Sequence, residues 1–424
     1  QTMSGTYYIG QYAPTYKTIM SAVTALKTNG VSGPVVFRIY SGTYDESIEI
    51  PSISGASASN TITFESYTKD SSSVIITNSN ANSTKKDVIH INGADYLVFN
   101  KLTIEPDKLI YWKEGININN GSNYLKFVNC YFDGADNYRM INSTSSVDNY
   151  IEILNCHFVG ASYSIYFVGE LTSYESGHKV VNCYFHNQTS GSIYFGYCSN
   201  IIIKNNLITT ADTNSTYDFG INVGKFSNSV KIHDNRIILV NSPLNANPYG
   251  IQVSTSSNPY LEIINNYIKG NCHGIACQVD NSKIYHNTCI VKSGYDLACI
   301  RFRNSNSNNV RNNIFINYDM DFYASIYNVN VLPNSNSILD YNNMISNKIG
   351  VAFLTVLAMY PTLSSWQTNT LQDSHSISKN VNFMSDSMHI QDTFMRIGKP
   401  LTEVTTDIDG EPRDPNTPYI GCDE

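Results

Sequence analysis

The stretch LEIINNYIKG, Leu261–Gly270, sets two asparagines between short apolar runs. Nearly the same phrase recurs as VKIHDNRIIL at 230–239, KIYHNTCIV at 283–291 and NVRNNIFIN at 309–317. Asparagine is a poor strand former, so its repeated place beside strand-forming residues calls for a structural reason. Aligned on the second residue of each pair, one column reads Leu102, Cys130, Cys156, Cys183, Asn206, Asn235, Asn266, Asn287, Asn313 and Asn343. Its members stand about 27 residues apart, a period that signals a stacked repeat. Three positions earlier the residue is apolar from Phe99 to Val310, with Asp340 the exception. Two positions later it is apolar throughout, from Ile104 and Phe132 to Phe315 and Ile345.

Between these phrases lies a second strand pattern: GININ, SIYFV, GINVG, GIQVS, GIACQ and CIRFR. Apolar residues there alternate with others at period two, as a half-buried strand requires. Each repeat therefore holds about three short strands and no helix, and must stack on its neighbours to bury a face. The expected fold is all-β, a single-stranded parallel β-helix of about 10–12 coils. An inward asparagine at each corner would donate its amide to the asparagine one coil on and satisfy the corner's backbone. Cys130, Cys156 and Cys183 would fill the same column as small apolar free thiols.

A stack leaves two open ends that need covers. At the start, TYKTIMSAVTALKTNG reads as a capping helix with Thr15 as N-cap, Ile19, Val23 and Leu26 as its buried stripe and Gly30 as its stop. The expected organisation, within one structural domain, is an N-terminal strand and capping helix over 1–34, coils over 35–345, and an irregular C-terminal cap and tail over 346–424.

Composition narrows the function classes. The chain of 424 residues carries a net charge of -8 with 15% charged residues, which is globular, and no basic stretch offers the counterion release of a nucleic-acid binder. The longest apolar run, IGVAFLTVLAMY at 349–360, is too short to span a bilayer. Nine cysteines show no zinc or redox spacing. Thirty-one tyrosines against two tryptophans, with abundant Asn, Ser and Thr, suit an exported carbohydrate-handling surface.

The chain resembles the right-handed parallel β-helix proteins of the pectin-lyase-like class, and more closely the exported β-helix proteins of Bacteroidetes. The closer likeness rests on VSGPVVFRIYSGTYDESIEIPSISGASASNTITFES near the start, WQTNTLQDSHSISKNVNF after the coils and DIDGEPRDPNTPYIGCDE at the end. The resemblance implies a right-handed helix and a secreted, periplasmic or cell-surface location. It names no reaction.

In this class the G-I-x-V strand forms the first sheet, and ligands lie across its outer face. The outward positions are read as His90, Asn117, Ile141, Tyr166, Tyr194, Asn222, Gln252, Ala276, Arg301 and Tyr327. Rings and amides at one-coil spacing suit a polysaccharide, so Tyr166, Tyr194, Asn222, Gln252, Arg303 and Tyr327 are expected to bind it. Polygalacturonases, which hydrolyse pectin on this fold, carry successive motifs of the types NTDGI, DDCIAI, GHGI and GIRIK. CHGIAC at 272–277 and CIRFRN at 299–304 match the last two, placing His273, Arg301 and Arg303 on the motif histidine and the basic pair. The paired aspartates are replaced by Pro248 and Tyr249 and the third falls on Phe219, so that mechanism lacks its acids.

Other carboxylates gather in loops entering the first sheet. One group is Glu105, Asp107, Glu114, Asp133 and Asp136 beside Trp112, Lys113 and Arg139; a second is Asp296, Asp319 and Asp321 beside Arg301 and Arg303. Either group offers an acid–base pair for a hydrolase. A β-eliminating lyase would instead use Arg301 as base, with Asp296 and Asp321 holding Ca²⁺ against a uronate. The catalytic candidates are thus Asp296, Arg301, Asp321 and His273, with no other metal or cofactor indicated. The DIDG at 407–410 resembles a calcium-loop fragment but reads as a tail turn. The alternative to an enzyme is a non-catalytic glycan-binding or adhesive protein using the same face, or a purely structural β-helix.

Overall fold

The computed structural model describes all residues except 82–85, 108–113, 135–138, 145, 211–216, 240–247, 256–258, 293–296, 303–304, 306, 319–325, 329–335, 347–349, 355 and 385–387, with side chains also left aside at 326–328 and 350–359. The architecture is an all-β, right-handed parallel β-helix of about 10 turns, with two α-helices among the described residues. Contacts divide the chain into two compact units, Gln1–Ile201 and Ile202–Glu424.

In the first unit each coil contributes one strand to each of three parallel sheets. The coil at 114–133 is representative: Glu114–Asn119 lies in the first sheet, Lys126–Val128 in the second and Tyr131–Asp133 in the third. Register holds from coil to coil, so identical side chains stack. Phe64, Phe99 and Phe127 form one inward ring column with centroids 5.6 Å and 5.3 Å apart, and Phe132, Phe158 and Phe185 form another. Each such ring is buried, which stabilises by roughly 1.5–3 kcal/mol. The N-terminal helix spans Ile19–Asn29 and buries Ile19, Ala22, Val23 and Leu26. Its N-cap is Thr18, in a capping box with Ser21, one turn later than the expected Thr15. Glu46 explains the later start, because its carboxylate accepts the free N–H groups of Ile19 and Met20.

The corners answer the opening question twice over. The first residue of each pair adopts the left-handed conformation: Asn129, Asn155, Asn182, Asn205, Asp234, Asn265, His286 and Asn312 have φ of 53–61°. Asn and Asp tolerate that region better than other side chains with a Cβ. The second residue points inward. In the first unit the inward residues are Cys130, Cys156 and Cys183, whose thiols face backbone carbonyls one coil earlier: Phe99, Phe127 and Ile153. All nine cysteines are free and buried.

In the second unit the inward column is an amide ladder. Asn235 Nδ2 donates to Asn266 Oδ1 at 2.9 Å, Asn266 to Asn287 at 3.0 Å, and Asn287 to Asn313 at 3.0 Å. The same Asn266 Nδ2 also meets the Ile232 and Ile264 carbonyls, so the buried amide is fully used. The last asparagine of the column is Asn342, which accepts from Asn313, and not Asn343. Tyr341, at φ 59°, occupies the left-handed place. With this register the residue three positions earlier becomes Leu339, the partner of Val310, and the Asp340 exception disappears. Asn342 in turn donates to the buried carboxylate of Asp373.

The C-terminal segment of the second unit does two jobs. Helix Leu363–Thr370 buries Trp366, whose indole N–H donates to Asp373. The tail then runs back along the outer face of the third sheet, where Ile390, Met395, Ile408, Ile420 and Cys422 bury Tyr267, Ile290, Ile314 and Ile316. Arg413 pins it: the buried guanidinium donates to Asn265 Oδ1 and to the carbonyls of Thr406, Tyr419, Gly421 and Cys422. In the DIDG turn the Asp407 carboxylate accepts the N–H groups of Asp409 and Glu411, a tail turn held by its own side chain.

Candidate active site

First-sheet strands begin with two consecutive inward residues, which sets what faces out. A Cβ at Gly115 would stand 2.7 Å from the Met140 carbonyl and 3.5 Å from Ile104 Cγ2, so that position points inward, as does Ile116. Glu114 therefore lies on the outer face. Its register partners on the adjacent strands are Asp87 and Arg139, while Asn117 pairs with His90 and Asn142. Ile141 is fully buried opposite Ile116, and Asn142 takes the outward place expected for it. The doubled apolar start, Met140–Ile141, shifts the alternation by one residue in that strand.

The outer face of the first unit thus carries two adjoining columns. One holds Asp87, Glu114, Arg139 and Tyr163; the next holds His90, Asn117, Asn142, Tyr166 and Tyr194. Asp87 and Glu114 are 8% and 6% exposed. Glu114 is engaged on both oxygens, by Lys86 Nζ at 3.0 Å and Asn142 Nδ2 at 3.3 Å. Asp87 Oδ2 accepts from Asn117 Nδ2 at 3.1 Å, whereas its Oδ1 is buried and meets no hydrogen-bond donor among the described residues. Burial, and then the neighbouring Glu114 charge, push the Asp87 carboxyl up to about 6. Asn117, Lys86 and His90 act in the opposite direction and are outweighed. Two carboxyls on adjacent strands, one of them keeping its proton up to about pH 6, are the arrangement that acid–base chemistry uses.

Beside the pair, the Arg139 guanidinium lies 4.0 Å above the Tyr166 ring, and Tyr166 stacks on Tyr194 at 4.7 Å and 15°. Arg139 Nη1 also reaches Asn142 Oδ1 at 3.4 Å. Of the first carboxylate group read from sequence, Glu114 and Arg139 belong to this face. Glu105 and Asp133 fall at the ends of third-sheet strands, while Trp112, Lys113 and Asp136 lie outside the described residues. Asp87 escaped the sequence reading although a signal existed: DVIHIN and EGININ each place an acid directly before the doubled inward pair on successive coils.

In the second unit, Asn222 and Gln252 lie in register and share a 3.1 Å amide hydrogen bond. His273 is fully buried. Its ring stacks on Tyr249 at 4.8 Å, Nδ1 accepts the Ala298 N–H at 3.1 Å, and Nε2 lies 3.4 Å from Arg301 Nη1. The depression lined by Tyr249, Gln252, Ala276 and Arg301 measures about 20 Å³, about the room of one water molecule. Tyr327 pairs in register with Arg301. Asp296, Arg303, Asp319 and Asp321 lie outside the described residues, and with them the second carboxylate group.

The family described as "Right handed beta helix region" matches residues 114–289. No curated protein matches the chain. Among solved structures, the chain is similar to the complex of XylC with xylose, at 9% identity and a TM-score of 0.62, covering 99% of this chain and 98% of the other. It is also similar to the pectate lyase Pel9A, at 12% identity and a TM-score of 0.50, with 98% and 96% covered. A third similar structure is the PL6 family alginate lyase AlyGC, at 12% identity and a TM-score of 0.50, where the chain covers 98% of its own length and 58% of the other's. At these identities the likeness establishes the fold.

Proposed function

We propose that the protein is a polysaccharide-cleaving enzyme, a glycoside hydrolase working on the outer face of the first sheet with Asp87 as proton donor and Glu114 as the second carboxylate. The observation that carries the reading is Asp87 itself: a nearly buried acid beside a carboxylate, raised to about 6, with one oxygen that meets no donor among the described residues. Adjacent strands stand about 4.8 Å apart, close to the ~5 Å carboxyl spacing of double-displacement hydrolysis and below the 6.5–9.5 Å that admits a water. In that sequence Asp87 protonates the leaving oxygen as Glu114 forms the glycosyl ester. Asp87 then takes a proton from water as it attacks, and the ester breaks with release of sugar. Arg139, Asn142 and the Tyr166–Tyr194 stack position the glycan. A pectate lyase and an alginate lyase of the same fold are consistent with a polymeric glycan as substrate.

The test is a panel of purified polysaccharides scored for new reducing ends and, separately, for unsaturated products. Reducing ends without unsaturation, lost in both Asp87→Asn and Glu114→Gln, support hydrolysis. Unsaturated ends would assign β-elimination instead, the reaction that Ca²⁺ held by Asp296 and Asp321 would serve. The stacked tyrosines and bridged amides favour one second reading, glycan binding without chemistry. Retention of a polymer on the wild-type protein with no product of either kind would establish it. Export is part of the proposal. No helix among the described residues is long and apolar enough to cross a membrane, and fractionation of the native cell would locate the protein.

A further inference from the structure

The second unit holds a cavity of about 760 Å³ between the outer face of its third sheet and the C-terminal tail. Tyr267, Lys269, Ile290 and Lys292 line it from the sheet, and Phe383, Met388, His389, Asp409 and Asp423 from the tail side. On that wall, one ligand atom each from His389, Asp409 and Asp423 lie within 4.8 Å of one another. Asp423 is 1% exposed, yet among the described residues neither of its oxygens meets a hydrogen-bond donor in full geometry, and the Glu424 backbone N–H only partly offsets its burial. His389 Nδ1 stands 2.9 Å from Asp423 Oδ1, at ion-pair distance but off the line of a hydrogen bond. Asp409 brings a second carboxylate to the same point while pairing with Arg236. A buried carboxylate so thinly satisfied is costly. Donor atoms that converge without pointing at each other are arranged for a third atom.

We propose that His389, Asp409 and Asp423 bind one divalent transition-metal ion, with its open coordination positions facing the cavity. One imidazole nitrogen and two carboxylate oxygens suit Mn²⁺ or Zn²⁺ over Ca²⁺, which takes six or more oxygens. A 2.9 Å separation between two donors, each about 2.1 Å from an ion, subtends roughly 90°, a cis pair in octahedral geometry. The Asp409 carboxylate can hold the ion through one oxygen and Arg236 through the other. Lys269 and Lys292 line the same cavity, so the ligand that completes the coordination is water or an anionic group. All three ligands belong to the tail that covers the third sheet, so binding ties separate segments of that tail together.

The experiment titrates the chelator-stripped full chain with MnCl₂, reading free Mn²⁺ by electron paramagnetic resonance and unfolding by thermal melt. Manganese is the probe because the buried Glu175–His178–Cys198 group could take zinc through its thiol. The expected result is one Mn²⁺ per chain, a raised melting temperature, and affinity reduced about tenfold or more in Asp423→Asn and in His389→Gln. If Asp423→Asn fails to fold, His389→Gln at a partly exposed position decides alone. Failure to retain Mn²⁺, or unchanged binding in the variants, would overturn the assignment and leave a proton as the occupant between the two carboxyls.

Discussion

Replacing Asp87 by Asn separates the electrostatics of the carboxyl pair from its chemistry. The folded chain holds the Asp87 carboxyl at about 6, against an ordinary value of 3.8. Below 3.8 the folded and unfolded chains are both protonated there, and the group contributes its full stability. Between 3.8 and 6 the unfolded chain ionises first, so folding is progressively disfavoured. Above about 6 the loss is complete. At ~1.4 kcal/mol per pH unit, the gap amounts to about 3 kcal/mol. Asn cannot ionise, and its carbonyl keeps the acceptor that Asn117 Nδ2 uses. The variant should therefore gain about 2.5 kcal/mol over wild type as pH rises from 4 to 8. A stacked repeat need not unfold in one step, so the local measure is preferable. Hydrogen exchange of the peptide spanning Asp87–Asn92, corrected for the intrinsic pH dependence of exchange, should show opening about a hundredfold rarer in the variant at pH 8 than in wild type. A variant-to-wild-type difference that stays constant across that range would refute the raised acid and remove the basis for its role as proton donor.

Hydrolysis at the Asp87–Glu114 pair should retain the anomeric configuration, which proton NMR of the first product reads directly; inversion would rule out the double displacement. Asn266→Ala should cost about 4 kcal/mol, because it orphans the Asn235 amide and the Ile232 carbonyl, while Cys156→Ala should cost only about 1 kcal/mol. Equal shifts in urea midpoint would show that the ladder is ordinary packing. Ser143 Oγ lies 2.8 Å from Asp148 Oδ2 and 2.6 Å from Glu175 Oε1, yet a hydroxyl has one proton, so one of these buried acids supplies the other. Burial raises the Asp148 carboxyl, so Asp148→Asn should be nearly neutral, and Asp148→Ala costly by roughly 3 kcal/mol. Arg413→Lys, which cannot reproduce the guanidinium's contacts, should free the tail, and limited proteolysis would show cleavage near residue 400 that wild type resists.

The coils were legible because stacking in register turns geometry into spacing: Phe99, Phe127 and Ile153 share a column in the sequence as they do in the structure. What failed were single-residue offsets. Asn342 and Asn343 are the same residue type, and only the left-handed Tyr341 tells which one enters the ladder. Ile141 was read as outward because strict alternation ignores the doubled inward pair, and the same oversight hid Asp87. Residue types announced amides and rings on the outer face. The pairing of Asp87 with Glu114 depends on register between strands 27 residues apart, and the enclosure of Asp423 depends on a tail that turns back across a sheet. The first shows only when DVIHIN and EGININ are aligned as successive coils, and no sequence pattern encodes the second.

The amide ladder has a direction. From Asn206 through Asn235, Asn266, Asn287, Asn313 and Asn342, every side chain gives its N–H forward, and each after the first receives from the one behind. The small dipoles therefore add head to tail, and their positive end arrives at the carboxylate of Asp373, where Trp366 and Ser376 also donate. An anion terminates a polar wire there, much as an acidic residue settles the start of a helix. A neutral terminator such as Asp373→Asn would leave that accumulated charge unanswered, so the choice of acid at the last step lets the cap recognise which way the column runs.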